Sequence, residues 1–136
     1  MSEHIPITFN KILQSKSYTV IILGTHQKKF AIYTEPRVGK DLQVYLTQGK
    51  KTRPSCHDLL QSIFAAYHIH PIQVVMHDVQ DTIYFARLFL EMISEGKRSI
   101  LELDAKPSDC ITLALLQNIP LYCRQEVLDK AVSIEA

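Results

Sequence analysis

The sequence lacks any long apolar run, and this absence argues against a helical membrane protein. Its longest uncharged apolar stretch, Tyr18–Gly24, is far shorter than the roughly 20 residues that a membrane-spanning helix needs. Residues Met1 to Ile12 also have no basic segment followed by an apolar stretch and a small-residue cleavage site. We therefore expect a protein that remains in the cytosol and does not enter a membrane.

Cysteine and net charge are also scarce. The three cysteines, Cys56, Cys110 and Cys123, are an odd number and form no CxxC pair, which argues against a disulfide framework and against a zinc ribbon. The formal net charge is +1, so no overall positive field would draw the chain onto nucleic acid. The local basic clusters, Lys28–Lys29 and Lys50–Lys51 with the nearby Arg53, are either solvated edges or phosphate-binding sites.

The composition is that of one ordinary globular domain. The chain has 136 residues, of which 46% are hydrophobic and 21% are charged, and a chain of this length can build one hydrophobic core. We predict a single domain over residues 1–136, with the motif-bearing core at 30–128.

Strands are predicted wherever short runs of β-branched and aromatic residues are bounded by turn residues. These runs are Ile5–Leu13, Tyr18–Leu23, Phe30–Thr34, His70–Asp78, Thr82–Glu91, Ser99–Leu103 and Ile119–Cys123. The first three are close in sequence and predict an antiparallel meander. The fourth and fifth flank a turn at Val79–Asp81 and predict a hairpin.

Helices are predicted between these groups of strands. One follows Pro36 and ends at Gly49, and a second begins with the Ser-x-x-Asp capping box at Ser55. A third starts at Pro107 and ends near Asn118, and a short one covers Gln125–Val132. Helices clustered between locally paired strands predict an α+β fold, a compact single-domain roll of antiparallel or mixed sheet with three to four helices.

Polar, titratable residues are concentrated at the starts of the second and third helices, in Arg53–Asp58 and Asp104–Asp109. Helix N-termini have unpaired N–H groups and bind anions. Carboxylates at such positions could hold Mg²⁺ or Mn²⁺ against a phosphodiester. The structural alternative is that Ser55 and Asp58 cap one helix, and that Asp109 interacts favourably with the dipole of the other.

The spacing of histidines and cysteines suggests two other kinds of site. His68 and His70 would share one face of an extended strand, a spacing that suits zinc or copper. Cys56 lies at a helix N-terminus beside His57, but adjacent helical residues point about 100° apart, which disfavours a thiol–imidazole pair. Cys110 and Cys123 are expected to be small core residues.

The segments RPSCHDL, Arg53–Leu59, and LDAKPSDC, Leu103–Cys110, resemble the paired signatures RP-x-x-HDL and D-x-RPSDA of the bifunctional nuclease family. The looser similarity extends over nearly the whole chain. This resemblance implies a compact α+β roll, a nuclease acting on both RNA and DNA, and self-association. The alternative hypothesis is a non-catalytic module of the same fold that binds nucleic acid, an anion or a protein.

The family's polar cluster, carried over by position, defines the expected site, in one shared cleft. The predicted catalytic residues are His57, Asp58, Asp104, Ser108 and Asp109. Among them Asp104, Asp109 and His57 are expected to hold the divalent cation, Mg²⁺ or Mn²⁺. Arg53 and Lys106 are expected to contact the phosphates of the nucleic acid.

The sequence departs from the family pattern at three positions. Val38 stands where relatives commonly have a glutamate, Lys106 replaces an arginine, and Cys110 replaces an alanine. Lysine keeps the charge but lacks the planar fork that holds a phosphate through two hydrogen bonds. The Val38 departure and the balanced net charge favour binding without cleavage.

Overall fold

The computed structural model describes residues 4–49 and 53–134, which form seven strands and four helices. In chain order the elements are β1 (His4–Gln14), β2 (Thr19–Gly24), β3 (Lys29–Thr34), α1 (Pro36–Leu46), α2 (Cys56–Ala66), β4 (Ile69–Gln80), β5 (Ile83–Ser94), β6 (Lys97–Ala105), α3 (Pro107–Gln117), β7 (Leu121–Arg124) and α4 (Gln125–Lys130). The predicted α+β class is confirmed.

All seven strands belong to one mixed sheet with the order β3-β2-β1-β7-β4-β5-β6. The opening meander pairs antiparallel, as expected, with Ile21 opposite Ile12 on one side and Ile32 on the other. The last strand, β7, lies between the two halves of the sheet. It is antiparallel to β1 and parallel to β4, so the closing strand joins the meander to the β4–β6 hairpins.

Two tight turns connect the long hairpins. Gln80 pairs with Ile83 and Ser94 with Lys97, so each turn has two residues between the paired strands. Asp81, Glu95 and Gly96 adopt positive φ angles there, which are the values that two-residue hairpin turns require.

The core lies between the sheet and the helices, chiefly under α3. Helix α3 packs against β3, β4 and β5 and also against α1 and α2. Cys110, Ile111 and Leu113 are buried in its first turns. Because α3 is held on several sides, its N-terminus has a fixed position relative to α1 and α2.

Some predicted boundaries were wrong. Val79 and Gln80 belong to β4 and not to a turn, because β4 continues to pair with β5 as far as the Gln80–Ile83 pair. The closing strand begins at Leu121, where its parallel pairing with Val74 starts. Helix α4 ends at Lys130, because Ala131 has an extended backbone.

No helix within residues 4–49 and 53–134 has the length and apolar character needed to cross a bilayer.

Candidate functional site

The polar residues at the start of α2 bond to one another and to α1. The Ser55 hydroxyl accepts a hydrogen bond from the Asp58 N–H at 3.3 Å, and the Ser55 N–H donates to Asp58 Oδ2 at 2.7 Å. This is the reciprocal capping box that the sequence predicts. The Tyr45 hydroxyl from α1 also donates to Asp58 Oδ1. Asp58 therefore ties the start of α2 to α1.

The start of α3 differs from that of α2, because no side chain caps it. Lys106 is the N-cap residue and makes no side-chain cap hydrogen bond, while Pro107 occupies the first helical position. Proline has no N–H to satisfy, but the following N–H groups of the first turn have no partner within an α-helix. The N-terminus of α3 therefore has hydrogen-bond donors and a partial positive charge that suit an anion.

The two polar segments meet through a single contact. His57 Nε2 lies 3.0 Å from Asp109 Oδ1, joining residues on α2 and α3 that are 52 positions apart in sequence. His57 is buried, whereas the Asp109 side chain is 44% exposed. The contact therefore orients a carboxylate that remains open to solvent.

The other ring nitrogen of His57 is inaccessible. Nδ1 is buried and has no hydrogen-bond partner among the described residues. A buried polar atom without a hydrogen bond costs about 1–3 kcal/mol. The contact between Nε2 and Asp109, and not a hydrogen bond of Nδ1, therefore holds the ring in this orientation. In this arrangement Nε2 contacts Asp109 and Nδ1 is buried, whereas the Asp109 side chain is partly exposed.

The environment keeps Asp109 ionised. The hydrogen bond from His57 lowers the pKa of the Asp109 carboxyl, burial opposes this effect, and the positive charge of Lys106 assists it. A carboxyl with a lowered pKa is a carboxylate at neutral pH. Asp109 therefore has the protonation state that a metal ligand or a proton acceptor needs.

A cleft of about 710 Å³ reaches the start of α3. Residues from the β3–α1 junction, the β4–β5 turn and the start of α3 line it, among them Tyr33, Tyr84, Lys106 and Ser108. Ser108 is only 3% exposed, and no partner for its hydroxyl is found within residues 4–49 and 53–134. His57 and Asp109 are not among the lining residues, so the histidine–carboxylate pair is not part of the cleft wall.

Glu35 is a site residue that the sequence analysis missed. It is the N-cap residue of α1 and lines the cleft, and its Oε1 atom lies 3.3 Å from Lys106 Nζ. The buried Thr19 hydroxyl lies 2.8 Å from Gln14 Oε1 and 3.0 Å from the Glu35 carbonyl oxygen, so it lies against the start of α1. The only signal in the sequence was an acidic residue directly before the proline that begins a helix.

Asp104 and Arg53 make no direct contact with this centre in the structure. Asp104 lies within β6, opposite Arg87, and is exposed. Arg53 is exposed just before α2. The structure therefore brings His57 and Asp109 into contact and places Lys106 and Ser108 together at the cleft, whereas Asp58 is engaged in the helix cap.

No complete metal site is found in the described part of the chain, where no three His, Cys, Asp or Glu side chains are grouped around a common point. Mg²⁺ is often held by one or two carboxylates together with substrate phosphates and water. A cation bound here would therefore take part of its ligands from substrate phosphates and water, because the described residues form no complete cage of protein ligands.

Lys28 and His68, two further candidates from the sequence, do not belong to this site. Lys28 donates to the carbonyl of Leu128 at 2.6 Å, so it caps the end of α4, and Lys50 and Lys51 lie outside the described residues. His68 has a positive φ and precedes β4, so the extended geometry needed to pair it with His70 is absent.

The burial of Cys110 and Cys123 agrees with the prediction that they are core residues. Cys110 and Cys123 are buried and Cys56 is exposed. Burial raises the pKa of Cys110 to about 12 and that of Cys123 to about 11, which leaves both as unreactive core thiols.

The family model of the bifunctional nuclease domain matches residues 21–135 of this chain. The chain belongs to the bifunctional nuclease domain family. The match includes both polar segments, most of β2 and every element from β3 onwards. It confirms the resemblance that the two motifs indicated.

Two bacterial relatives have similar sequences. They are the uncharacterized proteins MT1877 and Rv1829 of Mycobacterium tuberculosis, from strains CDC 1551 / Oshkosh and H37Rv, and each is 32% identical over 79 residues. The aligned segment covers 58% of this chain and 44% of each relative. The similarity thus spans less than half the length of these curated relatives.

Proposed function

We propose that this bifunctional nuclease domain binds RNA and DNA at the start of α3 and hydrolyses their phosphodiester bonds with the help of a divalent cation. The observation that carries the proposal is the His57–Asp109 contact. It joins the two family motifs and holds an ionised, solvent-accessible carboxylate beside an uncapped helix N-terminus.

The proposed roles follow from access and charge. Asp109 faces solvent and acts as a cation ligand or proton acceptor, and buried His57 orients it. Asp104 supplies a second carboxylate for Mg²⁺ or Mn²⁺, which prefer oxygen ligands. Lys106 and the exposed Arg53 contact phosphate oxygens.

Ser108 and Asp58 have different roles in the proposal. Ser108 donates from its hydroxyl to a bound phosphate, because this group lines the cleft without a protein partner among the described residues. Asp58 acts mainly through the helix cap, because Ser55 and Tyr45 already engage its carboxylate. A cytosolic location and self-association remain predictions.

The test is cleavage of single-stranded RNA and double-stranded DNA by the purified chain, with Mg²⁺, with Mn²⁺ and with chelator. We expect metal-dependent cleavage that falls by about 100-fold or more in Asp109→Asn, because positioned proton-transfer groups contribute that much. The matched control is Asp81→Asn, an exposed aspartate in a turn with positive φ, a conformation that asparagine adopts readily. Cleavage that persists in chelator and in Asp109→Asn would refute the catalytic proposal.

A second candidate is binding without cleavage. It is favoured by the lack of three grouped metal-ligating side chains in the described ranges and by the engagement of Asp58 in the cap. Binding of a fluorescent single strand would then fall as salt rises, and Lys106→Ala would reduce the slope of the logarithmic salt plot by about 1. Lys11→Ala, an exposed lysine on β1, is the control, and an equal reduction in both variants would mean that the binding is nonspecific.

A further inference from the structure

The cleft that reaches the start of α3 has aromatic and aliphatic side chains in its wall. Tyr33 on β3 and Ile83 on β5 are 66% and 63% exposed and line it, together with the half-buried Tyr84 and the buried Ile32. Its volume of about 710 Å³ falls within the range of about 300–1,000 Å³ that is usual for small-molecule sites. The cleft is therefore large enough for a ligand the size of one nucleotide, and it offers apolar surface that is open to solvent.

The two tyrosine rings of the cleft are held by contacts with other rings. Tyr33 packs against Tyr18 with ring centroids 5.5 Å apart, and Tyr84 stacks on the fully buried Phe30 at 5.1 Å. Proteins that bind single-stranded nucleic acid stack the bases on aromatic side chains. Because neighbouring rings already orient Tyr33 and Tyr84, a base that binds here has little ordering of these side chains to offset.

Hydroxyl groups without protein partners also line the cleft. Within residues 4–49 and 53–134, no hydrogen-bond partner is found for the hydroxyls of Tyr84, Thr34 or Ser108. Burial raises the pKa of Tyr84 to about 12, so its hydroxyl is protonated at neutral pH. A hydroxyl can donate or accept a hydrogen bond, so these groups can bond to the polar edge of any base. The cleft therefore suits a base without selecting which one.

The same cleft contains groups that suit a phosphate. Lys106, Pro107 and Ser108 line it at the N-terminus of α3. Ser108 is 3% exposed, but its hydroxyl is accessible, because in the described ranges the inaccessible side-chain atom without a partner is His57 Nδ1. The side chains of the Lys106–Glu35 pair are 64% and 70% exposed, and exposed ion pairs contribute little. Lys106 can therefore exchange Glu35 for a phosphate oxygen.

We propose that this cleft binds one unpaired base of a nucleic-acid strand against Tyr33 and Tyr84, while the phosphate of that nucleotide lies at the N-terminus of α3. The inference rests on the proposed function, because it takes nucleic acid as the ligand, and it adds that the bound nucleotide is unpaired. In a duplex each base is stacked and paired, and it must leave the stack to enter a pocket. Single strands, bulges and frayed ends should therefore bind better than a fully paired duplex.

The first test is competition binding to the purified chain. A labelled single strand is displaced by unlabelled strands, so the dye is the same in every measurement. The competitors are an oligothymidylate and a strand of equal length whose sugars have no bases, so that both have the same number of phosphates. We expect the abasic strand to bind about 5-fold to 100-fold more weakly, which is the effect of stacking one base on an aromatic side chain. Equal affinities would overturn the inference, because phosphate contacts alone would then account for binding.

Tyr33→Ala tests whether the base lies in this cleft. Tyr33 is 66% exposed, so the variant should remain folded by circular dichroism. It should lose most of the preference for the oligothymidylate and bind the abasic strand as the wild type does, whereas Tyr33→Phe should keep the preference. The matched control is Tyr67→Ala, which removes a ring that is 68% exposed at the end of α2 and is not among the cleft-lining residues. Equal weakening of both strands in Tyr33→Ala would contradict a contact between Tyr33 and a base.

The second test compares a fully paired DNA duplex with the same duplex containing one unpaired base in a bulge. We expect the bulged duplex to compete better and, with Mg²⁺ or Mn²⁺, to be cleaved beside the bulge. The two proposals fail separately. Base-dependent binding without cleavage would refute the catalytic proposal and leave the cleft assignment intact. Cleavage of paired duplex and single strand at equal rates would support the nuclease and overturn the cleft assignment, and a chain that binds no strand would overturn both.

Discussion

Replacing Asp58 by alanine tests whether this family-motif carboxylate acts in the fold or on the substrate. Its carboxylate accepts hydrogen bonds from the Ser55 N–H and from the Tyr45 hydroxyl. Both donors belong to the protein, and one joins α2 to α1. We therefore expect Asp58→Ala to reduce stability.

The magnitude follows from these two contacts. Loss of a capping interaction costs about 1 kcal/mol, and loss of a hydrogen bond to a partly exposed carboxylate costs about 1 kcal/mol more. For 136 residues, an unfolding entropy of about 2 cal/mol/K per residue converts a total of about 2 kcal/mol into a Tm decrease of about 7 °C.

Thermal unfolding followed by circular dichroism measures this decrease. Tyr45→Phe should lose about half of it, and Asp58→Ala should then cost about 1 kcal/mol less in the Tyr45→Phe background than in the wild type. Asp41→Ala on α1 is the control, because no partner for Asp41 is found in the described ranges. An unchanged Tm in Asp58→Ala together with lost cleavage would refute the structural assignment and place Asp58 on the substrate.

Three further predictions concern acid stability, thiol reactivity and a close approach. Because the pKa of Asp109 is lowered in the fold, its stabilisation is full above about pH 4 and is lost as the pH falls through the folded-state pKa. The difference in urea-unfolding free energy between wild type and Asp109→Asn should therefore shrink with acidification, and a constant difference would contradict this. Alkylation at neutral pH should label exposed Cys56 and leave buried Cys110, whose pKa is raised to about 12, unlabelled in a peptide map. Equal labelling would mean that the core opens readily. In Gly39→Ala the new Cβ would overlap the buried side chain of Thr19, so we expect a loss of about 1–3 kcal/mol in urea unfolding, and an unchanged or higher stability would count against it.

The order of strands and helices was predictable from local patterns. The meander, the two-residue turn at Glu95–Gly96 and the capping box at Ser55 depend on residues close in sequence. The position of β7 was not predictable. Its parallel pairing with β4 joins distant segments, and nothing local in Leu121–Arg124 indicates which strands will flank it.

The candidate site likewise has residues that the sequence identified and residues that it did not. The sequence identified His57, Lys106, Ser108 and Asp109 through their motifs, and it predicted that Pro107 would begin a helix. It did not identify Glu35 or Tyr45, because neither lies in a motif and each reaches the site only through packing of α1 against its neighbours.

The sequence by itself determined the elements, the family and the residue types at two helix starts, because caps, turns and periodicity are short-range properties. Only the tertiary structure decided what those residues do with one another. It turned His57 toward Asp109 and left the other ring nitrogen buried. It engaged Asp58 in a cap and left β6 exposed at the end of the sheet. These outcomes depend on how distant elements pack, and side-chain contacts across such distances are fixed only when the whole core forms.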